Sequence, residues 1–172
     1  MVVRLFTDGA CSENPGPGGW AVVIESFDGV AAVEDVISGY DLETTNNKME
    51  LTAVIQAYKK VLDLKVHDPR DETEYEIVSD SAYVINAVMQ GWIGKWSTNG
   101  WKNSKGENVK NIGLWKEFLM LHKMAKSAKL SVKFKKVKGH SGNPLNEVAD
   151  KVAVAEKVKA VQMKRAKKDM VV

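Results

Sequence analysis

Apolar and polar positions alternate through three short runs at the start of the chain. "VVRLFTD", "GWAVVIESF" and "VAAVEDVISGY" each read as a β-strand, and Asp28-Gly29 between the second and third marks a tight turn. Together they predict an antiparallel meander. The period then changes: Met49, Ala53, Ala57, Val61 and Leu64 recur at helical spacing, and Val54, Ile55, Tyr58 and Leu62 widen the stripe. This predicts a long helix over residues 46–64, packed on the sheet. "VHDPRDET" reads as a loop, "EYEIVS" as a fourth strand, and "SAYVINAVMQ" as a short helix directly after Asp80. Residues 91–110, rich in Gly and Trp, show no period and receive no assignment. A helix over 111–128, the strand "LSVKFKKV", the loop "KGHSGNP" and a last helix opening near Pro144 complete the chain. The basic continuation "VKAVQMKRAKKDM" is expected to fray. Strand-helix-strand alternation in the second half favours parallel pairing, hence one α/β domain.

Composition narrows this picture. At 172 residues and 44% hydrophobic, the chain suits a single core. No run is long enough to span a membrane, and "MVVRLFTDG" lacks the features of a secretory signal, so a cytoplasmic location with no membrane partner is expected. The one cysteine, Cys11, has no partner for an intramolecular disulfide and no neighbours at zinc-ligand spacing; it is expected to be a small packed residue.

Charge is divided unevenly. Residues 1–90 hold 6 Lys+Arg against 16 Asp+Glu, whereas residues 91–172 hold 19 against 6. A basic half suits a polyanionic partner, and an acidic half concentrates cations. Two solvated faces would give the same counts.

Four acids occupy places that secondary structure does not demand. Asp8 ends the first strand, Glu50 lies in the first turns of the long helix, Asp80 stands at a strand-to-helix junction, and Asp150 lies inside the last helix. Each has a local explanation: an Asp-Gly turn for Asp8, a capping box with Asn47 for Glu50, an N-cap for Asp80, a solvated helix position for Asp150. Jointly they suggest more, because ligands of α/β sheets gather beyond the carboxyl ends of strands, where Asp8 and Asp80 both fall. Clustered carboxylates repel unless cations bridge them. Mg²⁺ takes carboxylates together with water and phosphate oxygens, which is the chemistry of phosphoryl transfer.

The motifs "TDGACSENPGPGGW", "TTNNKMEL", "SDSAYV", "W…KW…GWK", "VKN…LW" and "VKGHSGNPLNEVAD" occur in the order found in type 1 ribonuclease H, which this chain resembles over roughly residues 2–155. The resemblance implies a ribonuclease H-like fold, a five-stranded mixed sheet with helices on both faces. It divides the chain into a catalytic domain, 1–155, and a basic helical extension or tail, 156–172. It also implies an endonuclease that hydrolyses the RNA strand of RNA-DNA hybrids with two Mg²⁺ ions, Mn²⁺ being an alternative, leaving 5′-phosphate and 3′-hydroxyl ends. Asp8, Glu50, Asp80 and Asp150 match the family's metal-binding carboxylates, and His140 matches a histidine that assists proton movement or product release. Gly9, Ala10, Cys11 and Asn14, with Glu50, match positions that contact the RNA strand. Thr45, Asn46, Asn47 and Trp96 match positions facing the DNA strand. Trp92, Trp101 and Trp115 are assigned to core packing.

Departures from the family pattern concern affinity. Ser97, Thr98 and Asn99 stand between the tryptophans where many bacterial members carry basic residues, Ala82 replaces a frequent glutamine, and Glu43 lies near a position often basic. The tail is therefore expected to add phosphate attraction through Lys164, Arg165, Lys167 and Lys168. A monomer is expected. The competing readings are a catalytically silent binder of hybrids or double-stranded RNA, a reverse-transcriptase nuclease domain and a Holliday-junction resolvase.

Overall fold

The predicted meander forms. In the computed structural model, which describes residues 1–67, 72–139 and 142–171, β1 (Val2–Cys11) pairs antiparallel with β2 (Gly16–Phe27), and β2 with β3 (Ala31–Thr44). β4 (Glu74–Ser79) joins β1 in parallel and β5 (Ser131–Lys136) joins β4 in parallel, giving the order β3-β2-β1-β4-β5. This is the five-stranded mixed sheet expected of the resemblance.

Side chains alternate between two cores because a strand turns successive residues to opposite faces. Leu5, Val22, Ile24 and Ile77 join one cluster, whereas Phe6, Val23 and Val78 join the other. The larger cluster is covered by α1 (Asn46–His67), α2 (Ala82–Met89), α3 (Trp92–Thr98) and α4 (Ile112–Ser127). α1 packs on β1 and β2 and contacts α4, with Tyr58 and Trp115 among the fully buried side chains there. The opposite face is covered by α5 (Pro144–Asp169), which lies on β2, β1 and β3.

Local chemistry explains the element ends. Asn143 caps α5 by accepting hydrogen bonds from the N–H groups of Leu145 and Asn146, and Pro144 occupies the position where its missing N–H costs nothing. The inner face of α5 carries Ala149, Ala153 and Ala160, all fully buried, so the helix axis comes close to the sheet. At Gly19 of β2, a Cβ would lie 2.6 Å from the Ala153 carbonyl oxygen and 2.6 Å from the Lys157 nitrogen. Backbone meets backbone there.

Several boundaries differ from the sequence reading. The Gly16–Gly19 run is the start of β2 rather than part of a turn, because its glycines let β2 lie against Thr44 and α5. β3 continues to Thr44, and α1 continues through Val66 and His67, which were expected in a loop; the rest of that loop, 68–71, lies outside the described residues. The basic end of α5, expected to fray, stays helical, and the helix runs unbroken to Asp169. Part of the unassigned 91–110 stretch is α3, followed by turns held by side chains. Asn99 accepts from the Lys102 N–H and donates to its carbonyl, and Asn103 accepts from the N–H groups of Lys105 and Glu107. Such local bonds follow no hydrophobic period.

Candidate active site

The parallel register of β1 and β4 sets Thr7 beside Ser79, so Asp80 leaves the sheet next to Asp8. Asp8 does not end its strand as expected but stays paired with Ala21 of β2, and β1 runs on to Cys11. The Thr7 hydroxyl donates to the Val78 carbonyl at 2.8 Å and fixes the two strand ends to each other. Asp80 is backed by Gly139, where a Cβ would stand 3.0 Å from Oδ2. Glu50 reaches the same place from α1. Gly9 allows this: a Cβ there would lie 2.5 Å from the Glu50 nitrogen and 2.6 Å from the Met49 carbonyl carbon, so only a glycine lets α1 approach the end of β1 so closely. α5 contributes Asp150, one residue after the buried Ala149.

Asp8 lies within reach of both Asp80 and Asp150, and Glu50 within reach of Asp80. Asp8 is 7% exposed. Burial, then the charge of Asp80, push its carboxyl up to about 8; the Gly9 N–H, donating at 2.8 Å, works against this, while Asp150 adds to it. Glu50 is also raised, first by burial and further by Asp80, against a hydrogen bond donated by the Ser81 hydroxyl at 2.6 Å. Four acids facing one another in a half-dry site are unfavourable as four charges and suit divalent cations. Among the described residues, no three ligating side chains close on one point as a cage. Mg²⁺ does not need one, since it commonly uses one or two carboxylates and completes its shell with water and substrate phosphate.

The local explanations of these acids fail where the structure tests them. α1 is capped by Thr45, whose hydroxyl accepts from the Lys48 N–H at 3.2 Å, so Glu50 closes no box with Asn47. α2 is capped by Ser81 rather than by Asp80. Ser81 is the residue that sequence reasoning missed. It is 3% exposed, accepts from the Val84 N–H and donates to Glu50, linking a helix cap to a site carboxylate. The signal was present in "SDSAYV", where Ser81 stands three residues before Val84.

Most of the expected substrate-contact residues gather beside this cluster. Gly9, Ala10 and Cys11 finish β1, and Asn14 accepts from the Asn46 N–H at 3.0 Å, tying the β1–β2 turn to the start of α1. Asn46 and Asn47 are exposed and Thr45 is half-buried. Cys11 is half-buried and donates to the Thr44 carbonyl. Trp96 stands apart, on α3, with its ring centroid 6.3 Å from that of Trp92 and 5.6 Å from that of Trp115. Trp115 is fully buried as expected, and Trp101 is partly buried against the core. Trp92 corrects its assignment: at 37% exposed it lies on the surface of α3 and, with Lys95, Trp96 and Lys102, lines a cavity of about 360 Å³. His140 lies outside the described residues.

Comparison with known proteins gives this arrangement a family. The ribonuclease H family model matches residues 1–157. The chain is 44% identical over 151 residues to a ribonuclease H of Caldicellulosiruptor saccharolyticus, covering 88% of this chain and 92% of that one. Among solved structures it is similar to a type 1 RNase H carrying the type 2 active-site motif, with a TM-score of 0.73 at 26% identity over 92% of this chain and 73% of the other. It is also similar to LC11-RNase H1, solved in complex with an RNA/DNA hybrid, with a TM-score of 0.64 at 26% identity over 92% of this chain and 99% of the other. A family match over nearly the whole chain, with relatives of similar length and architecture, means that the chain belongs to the ribonuclease H family.

Proposed function

We propose that this endoribonuclease cuts the RNA strand of RNA-DNA hybrids by metal-assisted attack of water, with Asp8, Glu50, Asp80 and Asp150 as the metal-holding carboxylates. The observation that carries the reading is the gathering of these carboxylates where β1 and β4 run side by side: Asp8 is buried and acted on by Asp80 and Asp150, and Glu50 is buried and acted on by Asp80. A silent binder of polyanions has no use for such a concentration of negative charge.

Two bound Mg²⁺ ions would supply charge stabilisation for the attacking and departing oxygens of an in-line displacement. The protein's own part is placement. Asp8 and Asp80 are set by strand register, Glu50 by the close approach of α1 at Gly9, and Asp150 by the alanine face of α5. Ser81 orients Glu50 through its hydroxyl. Asn14, Asn46 and Asn47 present amide groups next to the acids, and Gly9 to Cys11 present backbone, where a wide, shallow minor groove bearing 2′-hydroxyls is readable. Trp96 offers its face to the DNA strand. His140, assigned by its motif alone, serves proton movement or product release, as an imidazole that titrates near neutrality can.

Analysis of the product ends tests the reaction. Attack by water, with the 3′ oxygen departing, leaves 5′-phosphate and 3′-hydroxyl ends on the RNA fragments. Mass spectrometry of fragments from a defined hybrid should show only these. Fragments bearing 2′,3′-cyclic phosphate would mean that the ribose hydroxyl is the nucleophile, and would refute the assignment.

A further inference from the structure

The C-terminal part of α5 carries six basic residues and one acid between Lys157 and Asp169. It is not a free tail. Ala160 is fully buried, Ser38 of β3 donates to Glu156 at 3.0 Å, and the Lys164 ammonium lies 2.7 Å from the Glu43 carboxylate near the end of β3. Glu43 precedes Thr44, whose carbonyl accepts from the Cys11 thiol, and Thr45, which caps α1. The helix extension thus returns to the edge of the face that holds Asn14, Thr45 and Asn46.

The Lys164–Glu43 pair does little for the fold. Its side chains are 47% and 64% exposed, and ion pairs so open to water add almost nothing to stability. Its effect is on the charge and position of what surrounds it. Unpaired, Glu43 would repel a polyanion approaching the ends of β1 and β3. Lys164 cancels that charge and is itself held over the sheet end rather than ranging through solvent. Lys157 lies seven residues earlier, on the same side of the helix, and both ammonium groups act on the Cys11 thiol together with Glu43. Two lysines seven residues apart stand about 10 Å apart along a helix axis. That spacing lets the two ammonium groups meet different phosphates of one backbone.

We infer that Lys164, held by Glu43, and Lys157 form a phosphate-contacting site on α5 that grips the backbone of the hybrid beside the Asn14–Asn46 face. The inference rests on the reading of the substrate as an RNA-DNA hybrid. It assigns to residues outside the four-carboxylate site the phosphate attraction that Ser97, Thr98 and Asn99 do not supply.

The test uses the full-length protein in EDTA, so that no strand is cut, and follows the anisotropy of a labelled hybrid over a range of KCl concentrations. Lys164→Gln and Lys157→Gln should each weaken binding by about 3- to 10-fold at low salt and reduce the slope of log K against log[KCl] by about 0.7–0.9. Glu43→Gln should tighten binding, and the thermal midpoints of all three variants should stay at the wild-type value. Unchanged affinity and slope in Lys164→Gln would overturn the site, as would a lowered thermal midpoint with no change of slope. A site for acidic protein segments would show itself as that same indifference to hybrid. If wild type binds hybrid with the predicted lysine dependence yet cuts nothing when Mg²⁺ is restored, the proposed reaction fails and the phosphate site stands. Normal cleavage with no lysine dependence removes the phosphate site alone.

Discussion

Without divalent cations, Asp8→Asn should be more stable than wild type at neutral pH while having no measurable nuclease activity. The Asp8 carboxyl titrates near 3.8 when unfolded and near 8 when folded. A group whose pKa is raised by folding contributes its stability below the unfolded pKa and loses it as pH rises through the folded one. Wild type therefore weakens progressively between about pH 4 and pH 8, because the unfolded chain sheds the Asp8 proton while the folded state, burying that carboxyl beside Asp80, must keep it. Asparagine has no such proton. Its advantage should be close to zero at about pH 4 and on the order of 4 kcal/mol at about pH 7, at about 1.4 kcal/mol per pH unit above the unfolded pKa. Mg²⁺ should reverse the order, because it binds the folded wild type and stabilises it by mass action. Urea unfolding of both proteins at several pH values, with EDTA or Mg²⁺, measures all of this. A variant no more stable than wild type in EDTA at neutral pH would show that the acids do not strain one another.

Gly19→Val should cost about 3 kcal/mol or more and greatly reduce cleavage, although residue 19 contributes no functional group. A Cβ at this position meets the Glu156 Cβ at 2.5 Å and the Ala153 and Lys157 backbone at 2.6 Å, and backbone cannot swing aside as a side-chain tip can. Overpacking of this kind ordinarily costs about 1–3 kcal/mol, and the methyl groups of valine extend beyond the Cβ that already collides. α5 must move away from β2 and take Asp150 with it. A shifted urea midpoint together with a fall in kcat checks the claim. Wild-type stability in this variant would mean that α5 does not lie on Gly19.

Much of this molecule was legible in its residues. Strand and helix periods located all five strands, α1, α2, α4 and the start of α5, because the helices bury one face each and the strands carry dense apolar runs between turn signals. The four acids drew attention by their expected places at strand ends and helix turns; in the structure Asp80 and Asp150 act on Asp8 and Asp80 acts on Glu50, although Asp8 lies within β1, which runs on to Cys11. What escaped the sequence depends on distant partners. Ser81 reads as an ordinary cap until α1 delivers Glu50 to it. Trp92 reads as a core aromatic, yet α3 is too short to bury more than Ile93 of its seven residues. Lys164 and Glu43, 121 positions apart, carry no mutual signal at all. The end of α5 reads as a fraying segment because its sequence is basic, but the buried Ala160 anchors it to the sheet.

Cleavage of matched RNA-DNA, RNA-RNA and DNA-DNA duplexes by wild type and Asp8→Asn, each with Mg²⁺ or EDTA, tests the central claim most directly. The account predicts Mg²⁺-dependent cutting of the RNA strand of the hybrid alone, and none by the variant. Cutting in EDTA, or full activity in Asp8→Asn, would contradict it.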